Sequence, residues 1–275
     1  MGIEAFRYDG KRALVVGGTT GMGGAAAKIL VDLGAEVINF DWAPSDAPGQ
    51  RFVQVDLRDQ ASIDAAIDGL GGPVHSIFAC AGVADGTPGI ERINFLGHRY
   101  LIERMVNEGL IGRGGAIGMI SSAAGLGWES NLELLKSYLA TTSMDEGSAW
   151  TAEHGKSDYM WAKQAMNLYT AANAFPLLQK GIRINSICPG PTDTPLAQAN
   201  KEMWLGFGSD YRADAGIEAS TPAEQAYPLV FLCSDAASHV SGIIMVTDAG
   251  YMSSGLAGSY ESAIMAAQFL YGRLG

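Results

Sequence analysis

The chain has 275 residues, 48% hydrophobic and 17% charged, a composition that excludes intrinsic disorder and supports one α/β domain with a large core. Its 18 Lys and Arg against 29 Asp and Glu leave a formal net charge of −11, and the scattered cations form no basic stripe, so nucleic acid is not expected as a partner. No apolar run reaches the roughly 20 residues of a membrane helix and MGIEAFRYDG does not read as a signal peptide, so a cytoplasmic protein with no membrane partner is expected.

Seven short apolar runs read as strands: ALVVG (13–17), EVINF (36–40), FVQV (52–55), SIFAC (76–80), AIGMIS (116–121), RINSIC (183–188) and IIMVT (243–247). Helical patterns at 22–33, 62–70, 93–108, 157–179 and 222–232 lie between most of them. Strands alternating with helices imply right-handed crossovers and a parallel sheet covered on both faces. The expected fold is a Rossmann-type, doubly wound, seven-stranded parallel sheet in a single domain over 1–275. Two stretches break the rhythm: an insertion at 123–157, expected to be helical, and an extension at 251–275. Cys80, Cys188 and Cys233 lie far apart in apolar segments, as reduced core cysteines do. No His, Cys or carboxylate cluster has ligand spacing, so no metal is expected.

The first strand runs into Gly17-Gly18-Thr19-Thr20-Gly21-Met22-Gly23 and then a helix. Glycines permit a tight turn and bring backbone N–H groups and the helix dipole to a pyrophosphate, so strand, turn and helix together predict a dinucleotide site. Asp41, at the end of the second strand, can accept hydrogen bonds from ribose hydroxyls and would repel a 2′-phosphate. Thr19, Thr20 and Trp42 offer no compensating cation, which favours NAD over NADP. An ordinary tight turn and a solvated strand-end carboxylate are the plainer explanations.

Tyr159 and Lys163 are four residues apart on a helical pattern and share a face. A free phenol titrates near pH 10, and an adjacent ammonium and a nicotinium ring are expected to stabilise its anion, so Tyr159 can serve as a base toward an alcohol. The fifth strand ends in Ser121-Ser122.

Together the G-x-x-x-G-x-G loop, the Ser-Ser strand end and Tyr-x-x-x-Lys resemble the short-chain dehydrogenase/reductase family over roughly residues 9 to 250. The resemblance implies that Ser122 hydrogen-bonds the substrate oxygen, that Lys163 holds the nicotinamide ribose and that Asn94 links Lys163 to solvent. It also implies that Asp56 with Leu57 contacts the adenine, that Cys80-Ala81-Gly82 lines the crevice and that Pro189-Gly190-Pro191-Thr192-Asp193-Thr194 follows the sixth strand, Thr194 holding the carboxamide. Val16 stands where the family has a Thr that braces the loop.

Ser122 and Tyr159 are separated by the insertion, which resembles that of a branch holding bacterial 3α-hydroxysteroid dehydrogenase/carbonyl reductases and coniferyl-alcohol dehydrogenases. Its Leu126, Trp128, Leu132, Leu135, Tyr138 and Trp150, with Leu196, Met203, Trp204 and Phe207 further on, either wall a large apolar pocket or pack on the body or a second subunit. His154 reads as a surface residue. The expected activity is NAD-dependent hydride transfer between nicotinamide and a hydrophobic alcohol or ketone, a hydroxysteroid or an aromatic or allylic alcohol. Two alternatives are a catalytically silent dinucleotide sensor, disfavoured by the intact Ser122, Tyr159 and Lys163, and an epimerase, which needs a larger C-terminal domain. A homo-oligomer is expected, a dimer rather than a tetramer, because the insertion would cover the helix pair that relatives use for one interface. Tyr260, Ile264, Met265, Phe269 and Leu270 suit a partner surface or a lid.

Overall fold

A computed structural model describes residues 2–273. Seven strands form one sheet: β1 (Arg12–Val16), β2 (Glu36–Asp41), β3 (Gln50–Gln54), β4 (Val74–Ala79), β5 (Ile111–Ile120), β6 (Arg183–Pro189) and β7 (Ile244–Thr247). All pairings are parallel, in the order β3-β2-β1-β4-β5-β6-β7. The period-two alternation of β1 sends Leu14 and Val16 to one face and Ala13 and Val15 to the other, where two separate apolar clusters form.

Helices α1 (Gly21–Asp32), α2 (Gln60–Asp68) and α3 (Gly97–Asn107) connect the first strands; α4 (Leu132–Leu139) and α5 (Met144–His154) make up the insertion; α6 (Tyr159–Gln179) returns the chain to β6. Short helices α7 (Pro195–Ala199), α8 (Lys201–Trp204) and α9 (Ser209–Ala215) precede α10 (Pro222–Cys233), and α11 (Tyr251–Ala257) and α12 (Glu261–Leu270) follow β7. The Leu14 cluster is closed by α2, α3, α4 and α6, and the Ala13 cluster by α1 and α10.

The helix expected over 93–108 opens instead on a π-helical turn, Arg92–Leu96. Its wider spacing places Asn94 against the loop after β4, where Asn94 Nδ2 donates to Val83 O at 2.9 Å and Oδ1 accepts from Val83 N at 2.8 Å.

The insertion is helical as expected, but its large side chains join the core. Leu135 and Tyr138 are fully buried, and Tyr138 packs against Phe95, Trp150 and Trp161 with ring centroids 5.5, 5.0 and 6.2 Å away. Trp128, Leu132 and Trp150 pack on the same cluster. The outward face of α6 carries Trp161, Leu168 and Tyr169, and α4 and α5 cover it. Gly147 permits the approach, since a Cβ there would lie 2.6 Å from Leu96.

Candidate active site

Two clefts open at the C-terminal edge of the sheet, as expected for ligand sites in doubly wound folds. One is a crevice lined by Gly17, Thr20, Gly21, Met22, Gly23, Asp41, Asp56, Leu57, Ala81 and others. The other is a mainly apolar cavity of about 310 Å³ that contains Ser122, Tyr159 and Lys163. They share Met22, Cys80, Gly82, Thr194 and Leu196, so a ligand in one abuts a ligand in the other.

The crevice is built by close backbone approach. Gly17 has φ +86, and a Cβ on it would lie 2.5 Å from Ala81 N; a Cβ on Gly23 would lie 2.0 Å from Gly17 O. Both positions therefore require glycine. The brace missing at Val16 comes from Asn39, fully buried on β2: its Oδ1 accepts from Gly18 N at 3.0 Å and its Nδ2 donates to Thr19 Oγ1 at 3.2 Å. Thr19 does not line the crevice; its N–H donates to Asp41 Oδ2 at 2.9 Å. Asp41 Oδ1 accepts from Ala43 N at 3.0 Å, so the carboxylate is anchored at the crevice mouth by two backbone amides.

Arg58 also lines this mouth. It is ion-paired to Asp56 at 2.8 Å and lies 5.4 Å over the Trp42 ring. The guanidinium hydrogen bond holds the Asp56 carboxyl below the usual range. The crevice therefore does contain one cation, already neutralised by its neighbour.

In the cavity, α6 starts at Tyr159 because Asp158 caps it, accepting from Trp161 N at 2.8 Å. Ser122 follows β5, so the sheet edge and the helix start bring the serine and the tyrosine to one wall. Ser121 points the other way, its hydroxyl donating to Lys163 O at 3.0 Å. Lys163 is buried, with Nζ donating to Ile120 O at 2.8 Å and lying 5.4 Å from the Tyr159 ring centroid. Asn94 and Lys163 both flank Gly82, where a Cβ would be 3.5 Å from Asn94 Oδ1 and 3.6 Å from Lys163 Nζ.

Burial governs the titration of this pair. Burial pushes the Tyr159 phenol up to about 12, only partly opposed by hydrogen bonding from Ser122, while the Asp85 charge adds to the rise. Burial also brings the Lys163 pKa down to about 8, which leaves the ammonium the major form at neutral pH. Both groups are held in their neutral-favouring directions.

Pro189, Gly190 and Thr192 line the cavity beside Thr194, which caps α7 by accepting from Ala197 N at 3.1 Å. Leu196, Met203, Trp204 and Phe207 wall it as expected, and the Trp204 ring lies 5.0 Å from that of Tyr159. Of the insertion, Ala123 and Ala124 alone line this cavity among the described residues; of the two alternatives open for its large side chains, packing on the body is the one seen for Trp128, Leu132, Leu135, Tyr138 and Trp150. The C-terminal segment folds on its own chain, α12 burying Ala263 and Ala267 and ending with Leu270 in the cavity wall. His154 is exposed and stacks on Trp150 at 3.9 Å. Among the described residues no group of His, Cys, Asp or Glu could hold a metal, and no helix is long and apolar enough to cross a membrane.

Residues 16–252 match the family model described as Enoyl-(Acyl carrier protein) reductase; the chain belongs to the short-chain dehydrogenase/reductase family and is an oxidoreductase. It is 29% identical to the coniferyl-alcohol dehydrogenase of Pseudomonas sp. strain HR199, over 88% of this chain and 97% of that one. It is 30% identical to the 3-alpha-(or 20-beta)-hydroxysteroid dehydrogenase of Mycobacterium tuberculosis, over 89% and 90%. Among solved structures, the 3-alpha-hydroxysteroid dehydrogenase from Pseudomonas sp. B-0831, complexed with NADH, superimposes with TM-score 0.73 at 23% identity, over 90% of this chain and 98% of that one.

Proposed function

We propose that the chain is an NAD(H)-dependent dehydrogenase that interconverts a hydrophobic alcohol, a hydroxysteroid or an aromatic or allylic alcohol, and its carbonyl compound. The observation that carries this reading is the meeting of Ser122 and Tyr159 on one wall of an apolar cavity that opens into the dinucleotide crevice. The names of the coniferyl-alcohol and hydroxysteroid dehydrogenases above support the substrate class. NAD is favoured over NADP by Asp41 and by the pairing of Arg58 with Asp56, which leaves no unpaired cation for a 2′-phosphate.

Bound dinucleotide supplies the hydride acceptor. Tyr159 moves the proton at the substrate oxygen, and Ser122 donates a hydrogen bond to that oxygen as charge develops on it. Lys163, anchored to Ile120 O, lies beneath the tyrosine and holds the ribose. With its pKa near 12, Tyr159 is protonated at neutral pH and ready as an acid for carbonyl reduction. Its base form grows with pH, so alcohol oxidation rises between about pH 7 and 10 while reduction does not.

The test follows NADH absorbance with NAD and a panel of aromatic, allylic and steroid alcohols. Tyr159→Phe is expected to lower kcat by roughly 10²- to 10⁴-fold while cofactor affinity stays within a few-fold. Near-normal turnover in that variant would remove Tyr159 from the chemistry.

The proposal extends to assembly. Because α4 and α5 cover the outer face of α6 and the π-helical turn of Asn94, that face is closed to a partner, and a dimer through the face near β7 and the C-terminal segment is the expected state. Light scattering would show a dimer; a tetramer would contradict the blocking role of the insertion.

A further inference from the structure

The charges around the cavity point to what it excludes. Of the residues lining it, Asp85 and Lys163 alone are charged types, and no arginine is present. Lys163 is turned away to Ile120 O. Asp85 stands on the loop after β4, exposed at the rim, and its Oδ1 accepts from Tyr159 N at 2.7 Å. It makes no other side-chain hydrogen bond or ion pair among the described residues. A carboxylate thus stands at the start of the tyrosine's helix, on the cavity rim and without an ion-pair partner of its own, on a chain whose net charge is already −11.

We propose that Asp85 is a specificity-determining residue: its carboxylate restricts the cavity to uncharged alcohols and turns away those that carry a carboxylate. The inference rests on the reading of this cavity as the alcohol site. The rest of the lining is apolar at Met160, Leu196, Met203, Phe207 and Leu270 and offers an anion only neutral donors, such as the Ser122 and Tyr159 hydroxyls and the Trp204 indole N–H, whereas sites that accept carboxylates supply an arginine fork or a comparable charged donor set. A substrate carboxylate would give up hydration, find no arginine on that wall to replace it and meet a like charge at the rim. Two like charges roughly 7 Å apart, in surroundings between protein and water, repel by about the energy of a tenfold change in affinity.

Asp85 has a second task, since it takes one of the free N–H groups in the first turn of α6, beside the one taken by Asp158. Asp85→Asn separates the two roles: an amide oxygen still accepts from Tyr159 N, and the charge is gone. The probes are methyl 4-(hydroxymethyl)benzoate and the free acid, 4-(hydroxymethyl)benzoate. Their affinities for the holoenzyme formed with NADH are measured by calorimetry, and their oxidation with NAD by NADH absorbance. The wild type should favour the ester over the acid, and Asp85→Asn should shrink that ratio about tenfold. Raising the salt to about 0.5 M should narrow the ratio in the wild type and leave the variant unmoved, because an exposed charge is screened; this arm needs no substitution. A merely structural role for Asp85 would change both probes alike and show no salt dependence. A ratio unchanged by Asp85→Asn overturns the inference even if both alcohols are oxidised. A ratio that shrinks in binding while neither probe is oxidised sustains it and counts against the dehydrogenase reading.

Discussion

The insertion at 123–157 and the loop at 190–208 are both rich in Leu and Trp, yet they end in different places. The insertion lies on the flank of α6, where Tyr138 is fully buried and Trp150 stacks 5.6 Å from Trp161. The loop leaves the C-terminal end of β6, and Trp204 lies 5.0 Å from the Tyr159 ring. Similar side chains thus pack on the body in one region and wall the cavity in the other, and what separates them is position relative to the strand ends.

The largest expected effect falls on stability. Tyr138→Ala removes a fully buried ring from the center of an aromatic cluster and should lower unfolding free energy by about 3–5 kcal/mol in urea titration, with kcat/KM little changed while the protein stays folded. Tyr138→Phe, which keeps the ring and deletes a buried hydroxyl without a partner, should be neutral or stabilising. A large loss in kcat/KM for either would place the insertion in the site.

A smaller effect separates the body of the protein from its solvent-facing cavity by pH. His98 is fully buried, its Nε2 donating to Ala81 O at 3.0 Å, and burial brings its pKa down to about 4. The unfolded chain takes up that proton first, near pH 6.5. Stability is therefore complete above about pH 6.5 and falls by a few kcal/mol as the pH drops toward 4. His98→Gln should flatten this part of the pH–stability curve; an unchanged slope would show that other groups set it.

Much of this was legible from the residues alone. All seven strands and the five helices appear within a few residues of their expected places, because their periodicities are strong. Gly17, Thr20 to Gly23 and Asp41 line one cleft, and Ser122, Tyr159 and Lys163 the other. What escaped sequence reading depends on tertiary contact. Nothing marks Asn39 as the loop brace, since a polar residue in EVINF looks like an outward strand position. Arg58, seventeen residues beyond Asp41, reaches the same mouth only because β3 lies beside β2. Asp85 meets Tyr159 across 74 positions. The burial that raises the Tyr159 phenol is likewise not readable from the spacing of Tyr159 and Lys163 along their helix.

The division between a packing insertion and a substrate-reading loop is tested most directly by a matched pair, Trp150→Ala and Trp204→Ala. For each, thermal midpoint is measured together with the ratio of kcat/KM for benzyl alcohol and cyclohexanol. Trp150→Ala should lower the midpoint by roughly 5 °C or more, as expected for a loss of about 2 kcal/mol in a chain of this size, and leave the ratio within about twofold. Trp204→Ala should leave the midpoint within about 2 °C and shift the ratio by about fivefold or more, the scale of a lost pocket contact. The reverse pattern, with selectivity following Trp150 and stability following Trp204, would contradict the division.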